Sequence, residues 1–218
     1  MTTLLIATRN AHKVAEIRAI LGAQFRYLTL TDFPGAPAVV EDADTFEGNA
    51  TKKAASLAEW LANGSAGNPI PGGRLLVLAD DSGLEVDALH GAPGVHSARF
   101  AALDGAGPPA GNSSDADNNA KLLRLLRDVP QELRAARFRC VIAVVEALPA
   151  AVRPAPRCCS GACEGRIDFA PRGAGGFGYD PLFIPAGREE SFAELGEEEK
   201  NRLSHRARAL EQVRAWLR

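Results

Sequence analysis

A chain of 218 residues with 46% hydrophobic and 24% charged residues has an ordinary globular composition, which excludes a disordered or fibrous protein. Its length predicts one compact domain over residues 1–218, because single cores stop growing near about 250–300 residues. A formal net charge of −2 excludes a broad basic surface that coats nucleic acid or an acidic membrane.

The opening MTTLLIATRN carries a short apolar run with no basic segment ahead of it. No apolar stretch of the chain nears the roughly 20 residues that span a bilayer, so a soluble, cytoplasmic protein without an export signal is expected. Cys140, Cys158, Cys159 and Cys163 lack CxxC spacing and nearby histidines, which predicts reduced, partly buried thiols and no zinc site.

The run Leu4–Ala7 reads as a strand buried on both faces, with Thr8 to Lys13 as its exit loop. Val14, Ile17 and Leu21 then recur at helical spacing, with Asn10 or Thr8 as the cap and Gly22 as the stop. A second helix is predicted over about 45–63, since Phe46, Ala50, Ala54, Leu57 and Leu61 share one face. Turn formers fill 63–73. Leu75–Ala79 reads as another buried strand ending at an Asp80-Asp81-Ser82-Gly83 turn, and Leu84, Val86 and Ala88 read as the arm of a hairpin. The Gly/Pro-rich stretch 102–114 is expected to be a surface loop. Leu122, Leu125, Leu126 and Val129 mark a helix, and 138–145 and 157–167 read as paired strands. A glycine-rich loop covers 173–180. Ser191 and Glu194 stand at capping-box spacing before a C-terminal amphipathic helix that carries Leu203, Ala207, Leu210, Val213 and Leu217. Strands alternating with helices, and a strand-rich stretch over 138–184, predict an α/β architecture with a mixed sheet.

Five segments carry residues suited to chemistry. Thr8, Arg9, Asn10, Ala11, His12 and Lys13 lie between a strand and a helix start, where backbone N–H groups, the helix dipole and a lysine favour an anion such as a triphosphate. A capped helix with an incidental lysine is the plainer alternative, and no Walker loop is present. Asp80 and Asp81 at a strand end suit Mg2+, which takes one or two carboxylates together with phosphate oxygens and water. An acidic turn explains the same residues equally well. Glu41, Asp42 and Asp44 precede the second helix, whose Asn49 and Lys53 share a face and could reach the same phosphate or metal-bound water. Gly175-Gly176-Phe177-Gly178-Tyr179-Asp180 sets two aromatics among glycines that let a flat base come close. Lys200, Ser204, His205 and Arg206 supply donors for a carbonyl or phosphate oxygen. On one straight helix Lys200 and His205 point about 140° apart, so either the helix breaks between them or they touch different ligand atoms.

In this order, ATRNAHK (7–13), TFEGNATKKA (45–54), ADDSGLEVDALHGAPGVHSARF (79–100), GGFGYDPLF (175–183) and SHR (204–206) resemble the inosine/xanthosine triphosphate pyrophosphatase family, the Ham1-like enzymes. The resemblance spans nearly the whole chain. It implies an α/β fold with a long, twisted mixed β-sheet, flanking helices and two lobes around a central cleft, commonly as a homodimer. It also implies Mg2+-dependent hydrolysis of dITP, ITP, XTP and dXTP to the monophosphate and pyrophosphate, which cleanses the nucleotide pool. On the family pattern Asp81 is the catalytic carboxylate and a metal ligand, with Glu41 as second ligand. Thr8, Arg9, Asn10, Ala11, His12, Lys13 and Lys53 hold the triphosphate, and Ser82 meets substrate beside the metal. Phe177, Gly178, Tyr179 and Asp180 form the nucleoside pocket. Lys200, His205 and Arg206 donate to the purine 6-oxygen, which a 6-amino base lacks. A lack of partners for the 2-amino group is the expected basis for excluding GTP. Gly48 departs from the family pattern, which often has an acidic residue before Asn49, and the adjacent Glu47 is the available substitute. A Maf-like pyrophosphatase of other modified nucleotides and a non-catalytic nucleotide-binding module are the alternatives.

Overall fold

The computed structural model describes residues 1–64, 74–105, 111–148, 152 and 154–217. Most of the expected 63–73 turn and the centre of the 102–114 loop lie outside the described residues. Among the described residues, strands β1 (Thr3–Ile6), β2 (Arg26–Thr29), β3 (Leu75–Val86), β4 (Ala135–Glu146), β5 (Arg157–Ile167) and β6 (Phe183–Pro185) form one mixed sheet. Its order is β2-β1-β3-β4-β5-β6. β1 runs parallel to both β2 and β3, in register Ile6 with Thr29 and Ile6 with Leu78, while β5 and β6 are antiparallel. The helices are α1 (Ala11–Leu21), α2 (Phe46–Ala62), α3 (Asp115–Leu125), α4 (Phe192–Leu203) and α5 (His205–Leu217). This is the α/β class that the alternation of periods predicts.

The chain packs as two compact units. The first comprises residues 1–81, 140–161 and 206–218. Its core joins Leu4, Ile6, Ile17, Leu21, Leu76, Leu78, Ile142, Val144, Leu210 and Val213. These are the apolar runs of β1 and β3, which have no polar face and so must be covered on both sides. The second unit comprises 82–139 and 162–205, with Leu84, Val86, Phe100, Leu122, Phe138, Ile167, Tyr179, Phe183 and Phe192 at its centre.

Two expectations are corrected. Asp80 to Gly83 is not a turn: β3 runs unbroken from Leu75 to Val86, so the supposed hairpin arm is its continuation. Turn formers occupy mid-strand because their polar groups find partners there, Asp80 and Asp81 on cationic side chains and the Leu84 N–H on Ser97 Oγ at 2.9 Å. The C-terminal helix is also two helices. Ser204 is extended, at φ −68° and ψ 159°, and separates α4 from α5, while Gly196 at φ 78° kinks α4. The break resolves the angular conflict between Lys200 and His205, since the two residues sit on different helices.

The helix ends follow the capping chemistry. Asn10 Oδ1 accepts from Lys13 N at 3.1 Å, Thr45 Oγ1 from Gly48 N at 3.0 Å, and Glu194 Oε2 from Ser191 N at 2.8 Å. Gly22 ends α1 at φ 81°, a conformation that glycine adopts without the Cβ penalty. All four cysteines are free thiols, with Cys140, Cys159 and Cys163 buried. No helix among the described residues is long and apolar enough to cross a membrane.

Candidate active site

In the first unit, β3 places Asp80 and Asp81 side by side, and strand alternation sends their side chains to opposite faces of the sheet. Asp81 is buried and lies among groups supplied by α2 and the loop before it. Lys53 Nζ donates to Asp81 Oδ1 at 3.1 Å, to Glu41 Oε2 at 2.8 Å and to the Asp80 carbonyl at 2.8 Å. Asn49 Nδ2 donates to Asp81 Oδ2 at 3.2 Å, and the same amide ties Ala43 by accepting from its N–H at 3.0 Å. The expected pairing of Asn49 and Lys53 on one helix face is therefore present, four residues apart.

The electrostatics separate the three carboxylates. Burial lifts the Asp81 carboxyl from 3.8 to about 6, with Glu41 adding to the rise and Lys53 and Lys13 opposing it. Glu41 moves the other way, because Lys53 outweighs its partial burial and holds it below the usual range. Asp80 lies well below that range: its burial is overcome by Arg206 and Lys13. Asp81 and Glu41 are thus two partly desolvated carboxylates that repel each other. A divalent cation between them relieves both costs. Among the described residues no group of three or more His, Cys, Asp or Glu side chains gathers into a cage. That suits a cation which completes its shell with substrate oxygens and water rather than with protein alone.

The exit of β1 and the start of α1 carry Thr8, Arg9, Asn10, Ala11, His12 and Lys13. Thr8 Oγ1 accepts from Asn10 N at 3.2 Å, and Arg9 donates to the Ala36 carbonyl at 3.4 Å. Residues 9–12 are exposed, so the first turn of α1 presents backbone donors at its open end. Lys13 Nζ is bonded to Asp80 Oδ1. Asp42 pairs with Lys52 on an exposed edge, and Asp44 and Glu47 are exposed, the solvated acidic loop that composition suggests. A Cβ at Gly48 would lie 2.8 Å from Ala43 Cβ and 3.1 Å from Thr45 Oγ1, so the tight N-terminus of α2 leaves this position little room for a side chain.

In the second unit the 173–180 loop is held from three directions. Asp180 Oδ2 accepts from Phe177 N at 2.8 Å and from Lys200 Nζ at 2.5 Å. Gly178 N donates to Asp115 at 2.6 Å, and its carbonyl accepts from Asn119 at 2.9 Å. A Cβ at Gly176 would fall 2.1 Å from Asp180 Oδ2, so only glycine fits under that carboxylate. The Lys200 ammonium also stands 4.5 Å over the Phe177 ring. Tyr179 is buried, its hydroxyl donating to the Ser97 carbonyl at 2.8 Å, which leaves Phe177 as the less buried of the two aromatics. The His205 ring stacks on Phe138 at 4.8 Å and 13°. Ser82 is half-buried. Arg206 belongs to the first unit, fully buried, with Nε on Asp80 Oδ2 at 2.9 Å and Nη1 on Glu16.

Asp115, Asn119 and Phe138 as supports, and Glu16 as a partner of Arg206, were not legible in the sequence. Each pairs across a long separation that no local spacing encodes. Only the one-turn spacing of Asp115 and Asn119 on a helical pattern hints that they act together.

The structure defines an α/β protein with a lysine-flanked pair of carboxylates, Asp81 and Glu41, at the edge of β3 and α2. The profile of the Ham1 family matches residues 4–216, and the chain belongs to that family. It is 47% identical over 213 residues to a dITP/XTP pyrophosphatase of Desulforamulus reducens, covering 96% of this chain and 92% of the relative. It is 49% identical over 211 residues to a dITP/XTP pyrophosphatase of Geobacter sulfurreducens, covering 96% and 94%. The solved structure of a HAM1 protein from Coxiella burnetii superposes with a TM-score of 0.80 at 38% identity, covering 100% of this chain and 98% of that one.

Proposed function

We propose that this protein is a pyrophosphatase of the non-standard purine triphosphates dITP, ITP, XTP and dXTP, releasing the monophosphate and pyrophosphate. The observation that carries this reading is the Asp81–Glu41–Lys53 cluster: two repelling carboxylates bridged by a lysine that also binds the strand carbonyl beside them. Its relatives of 47% and 49% identity, both dITP/XTP pyrophosphatases, support the substrate class. The whole of 1–218 acts as one catalytic domain.

Asp81 and Glu41 would hold Mg2+, which would supply charge neutralisation of the triphosphate and activation of water. Asp81 is the catalytic carboxylate: with a pKa lifted to about 6 it is poised to accept a proton from the attacking water. Lys13 and Lys53 offset phosphate charge, and Thr8, Arg9, Asn10, Ala11 and His12 line the anion cradle at the start of α1. Ser82 contacts substrate next to the metal ligand. In the second unit Phe177 offers a ring face to the base, on a loop shaped by Gly178, Tyr179 and Asp180. Lys200 and His205 donate to the 6-oxygen. A 6-amino base offers these donors no acceptor at that position and forgoes the hydrogen bond, which favours a 6-oxo purine.

The protein acts in the cytoplasm, where nucleotide precursors are held, and as a homodimer. Light scattering on the purified protein checks the last point against twice the 23.0 kDa chain mass. The deciding assay is pyrophosphate release from dITP, XTP, dATP, dGTP and dTTP, each with Mg2+ and with EDTA. Turnover of dITP and XTP that depends on Mg2+ is expected. A preference for dTTP, or no turnover of any substrate, overturns the assignment.

A further inference from the structure

Asp80 neighbours the catalytic Asp81, yet every observation sets it apart. Its side chain has 0% exposure. One oxygen takes Lys13 Nζ, and the other takes Arg206 Nε at 2.9 Å and Cys140 Sγ at 3.1 Å. Both Asp80 oxygens are thus engaged by cationic side chains. Arg206 forks from Asp80 to Glu16, and its side chain is 2% exposed. Lys13 and Glu16 are three residues apart on α1 and so share a face. The Asp80–Arg206 pair therefore grips α1 at two points, its first turn through Lys13 and its second through Glu16. The four groups are two cations and two anions, so the cluster is balanced in charge, and its mutual pairing offsets the desolvation that burial costs each group.

We propose that Asp80 and Arg206 are positioning residues, which fix the first turn of α1 and with it the aim of Lys13 at the triphosphate, without touching metal or reacting atoms. The inference rests on the phosphate-binding role of Lys13 proposed above. It separates two adjacent aspartates by task. Asp81 acts on the reacting centre, whereas Asp80 acts through Lys13, so its loss registers in substrate binding and only if Lys13 is present.

The test is a double-mutant cycle between Asp80→Asn and Lys13→Met, read as KM and kcat for dITP and, in parallel, as calorimetric affinity for inorganic tripolyphosphate. Asp80→Asn is expected to raise KM about tenfold, as loss of one member of a buried charge pair weakens what the pair holds, with kcat changed less than about threefold. In the Lys13→Met background the same substitution is expected to add less than about twofold, because coupled residues are not additive. Losses that multiply, or a fall confined to kcat, assign Asp80 a merely structural role and overturn the proposal. If circular dichroism shows Asp80→Asn unfolded, Arg206→Lys, which keeps the charge and loses the fork, takes its place in the cycle with the same two outcomes. Wild-type protein that binds tripolyphosphate but leaves dITP intact refutes the proposed function and leaves the cycle readable on affinity. Protein that binds no tripolyphosphate refutes both.

Discussion

Asp81, the carboxylate proposed to be catalytic, shows how burial sets both the chemistry and the cost of such a group. Its pKa is raised from 3.8 to about 6, first by burial, so at pH 7.5 the folded protein holds an ionised carboxylate in a site that disfavours the charge. Asp81→Asn removes that charge while nearly keeping the shape. The variant is expected to retain nucleotide binding, to lose turnover by about a hundredfold or more, as removal of a general base does, and to melt a few degrees higher than wild type without metal at pH 7.5. Steady-state kinetics and calorimetric melting check both halves. Unchanged turnover removes Asp81 from the mechanism. A lower melting temperature shows that its contacts with Asn49 and Lys53 outweigh the buried charge. Asp80, one residue away, is the opposite case, its carboxyl held well below the usual range despite complete burial.

At the scale of the element, α2 matters most, because one helix face presents Asn49 and Lys53 to β3. Its start is set by Thr45, whose hydroxyl accepts from Gly48 N at 3.0 Å. Thr45→Ala is expected to cost about 1 kcal/mol of stability, measured by urea unfolding, and to weaken substrate binding because the face that carries Lys53 loosens. Gly48→Asp tests a second feature. Family resemblance favours an acidic residue there, but the added Cβ meets Ala43 Cβ at 2.8 Å. The substitution is expected to destabilise the protein by about 1–3 kcal/mol through overpacking. A stable variant with higher metal affinity would show instead that the loop before α2 yields and that the family's acidic residue can be restored. The break at Ser204 belongs to the same scale: an extended residue between α4 and α5 lets Lys200 and His205 serve different helices.

For the molecule as a whole, the pH response follows from the signs of these shifts. A carboxyl whose pKa is raised on folding stabilises the fold below its unfolded value, near 3.8 for Asp81, and that contribution is lost as pH rises through about 6. The metal acts in the reverse sense, since it binds the ionised form and must displace a proton below pH 6. Mg2+ affinity is therefore expected to fall about tenfold for each unit below pH 6 and to level above it. Calorimetric titrations in buffers of different ionisation enthalpy check this, with proton release on binding at pH 5.5 and little at pH 8. An affinity independent of pH between 5 and 8 would take Asp81 out of the metal site. Asp80 follows the usual carboxylate sign: its contribution is present above pH 3.8 and is lost only as pH falls through its much lower folded value.

Much of the fold was legible because it depends on local periodicity. The apolar runs of β1 and β3, the helical stripes of α1 and α2 and the caps at Asn10 and Ser191 all lie where spacing and capping chemistry place them. The short strands β2 and β6 carry too few residues to show a period, and the Asp-Asp-Ser-Gly segment misled because turn formers are tolerated in mid-strand once tertiary partners satisfy them. The candidate residues were legible as types within ordered motifs, and the structure brings Asp81, Glu41 and Lys53 together in the first unit. The sequence by itself determined the class of fold, the family and the chemistry available. Only the tertiary structure decided which aspartate lies beside Lys53 and Asn49 and which is bound between Lys13 and Arg206, because that division depends on burial and on partners up to 126 positions away in the chain. Long-range ion pairs leave no period and no spacing in a sequence; they exist only where the fold removes water from both partners together.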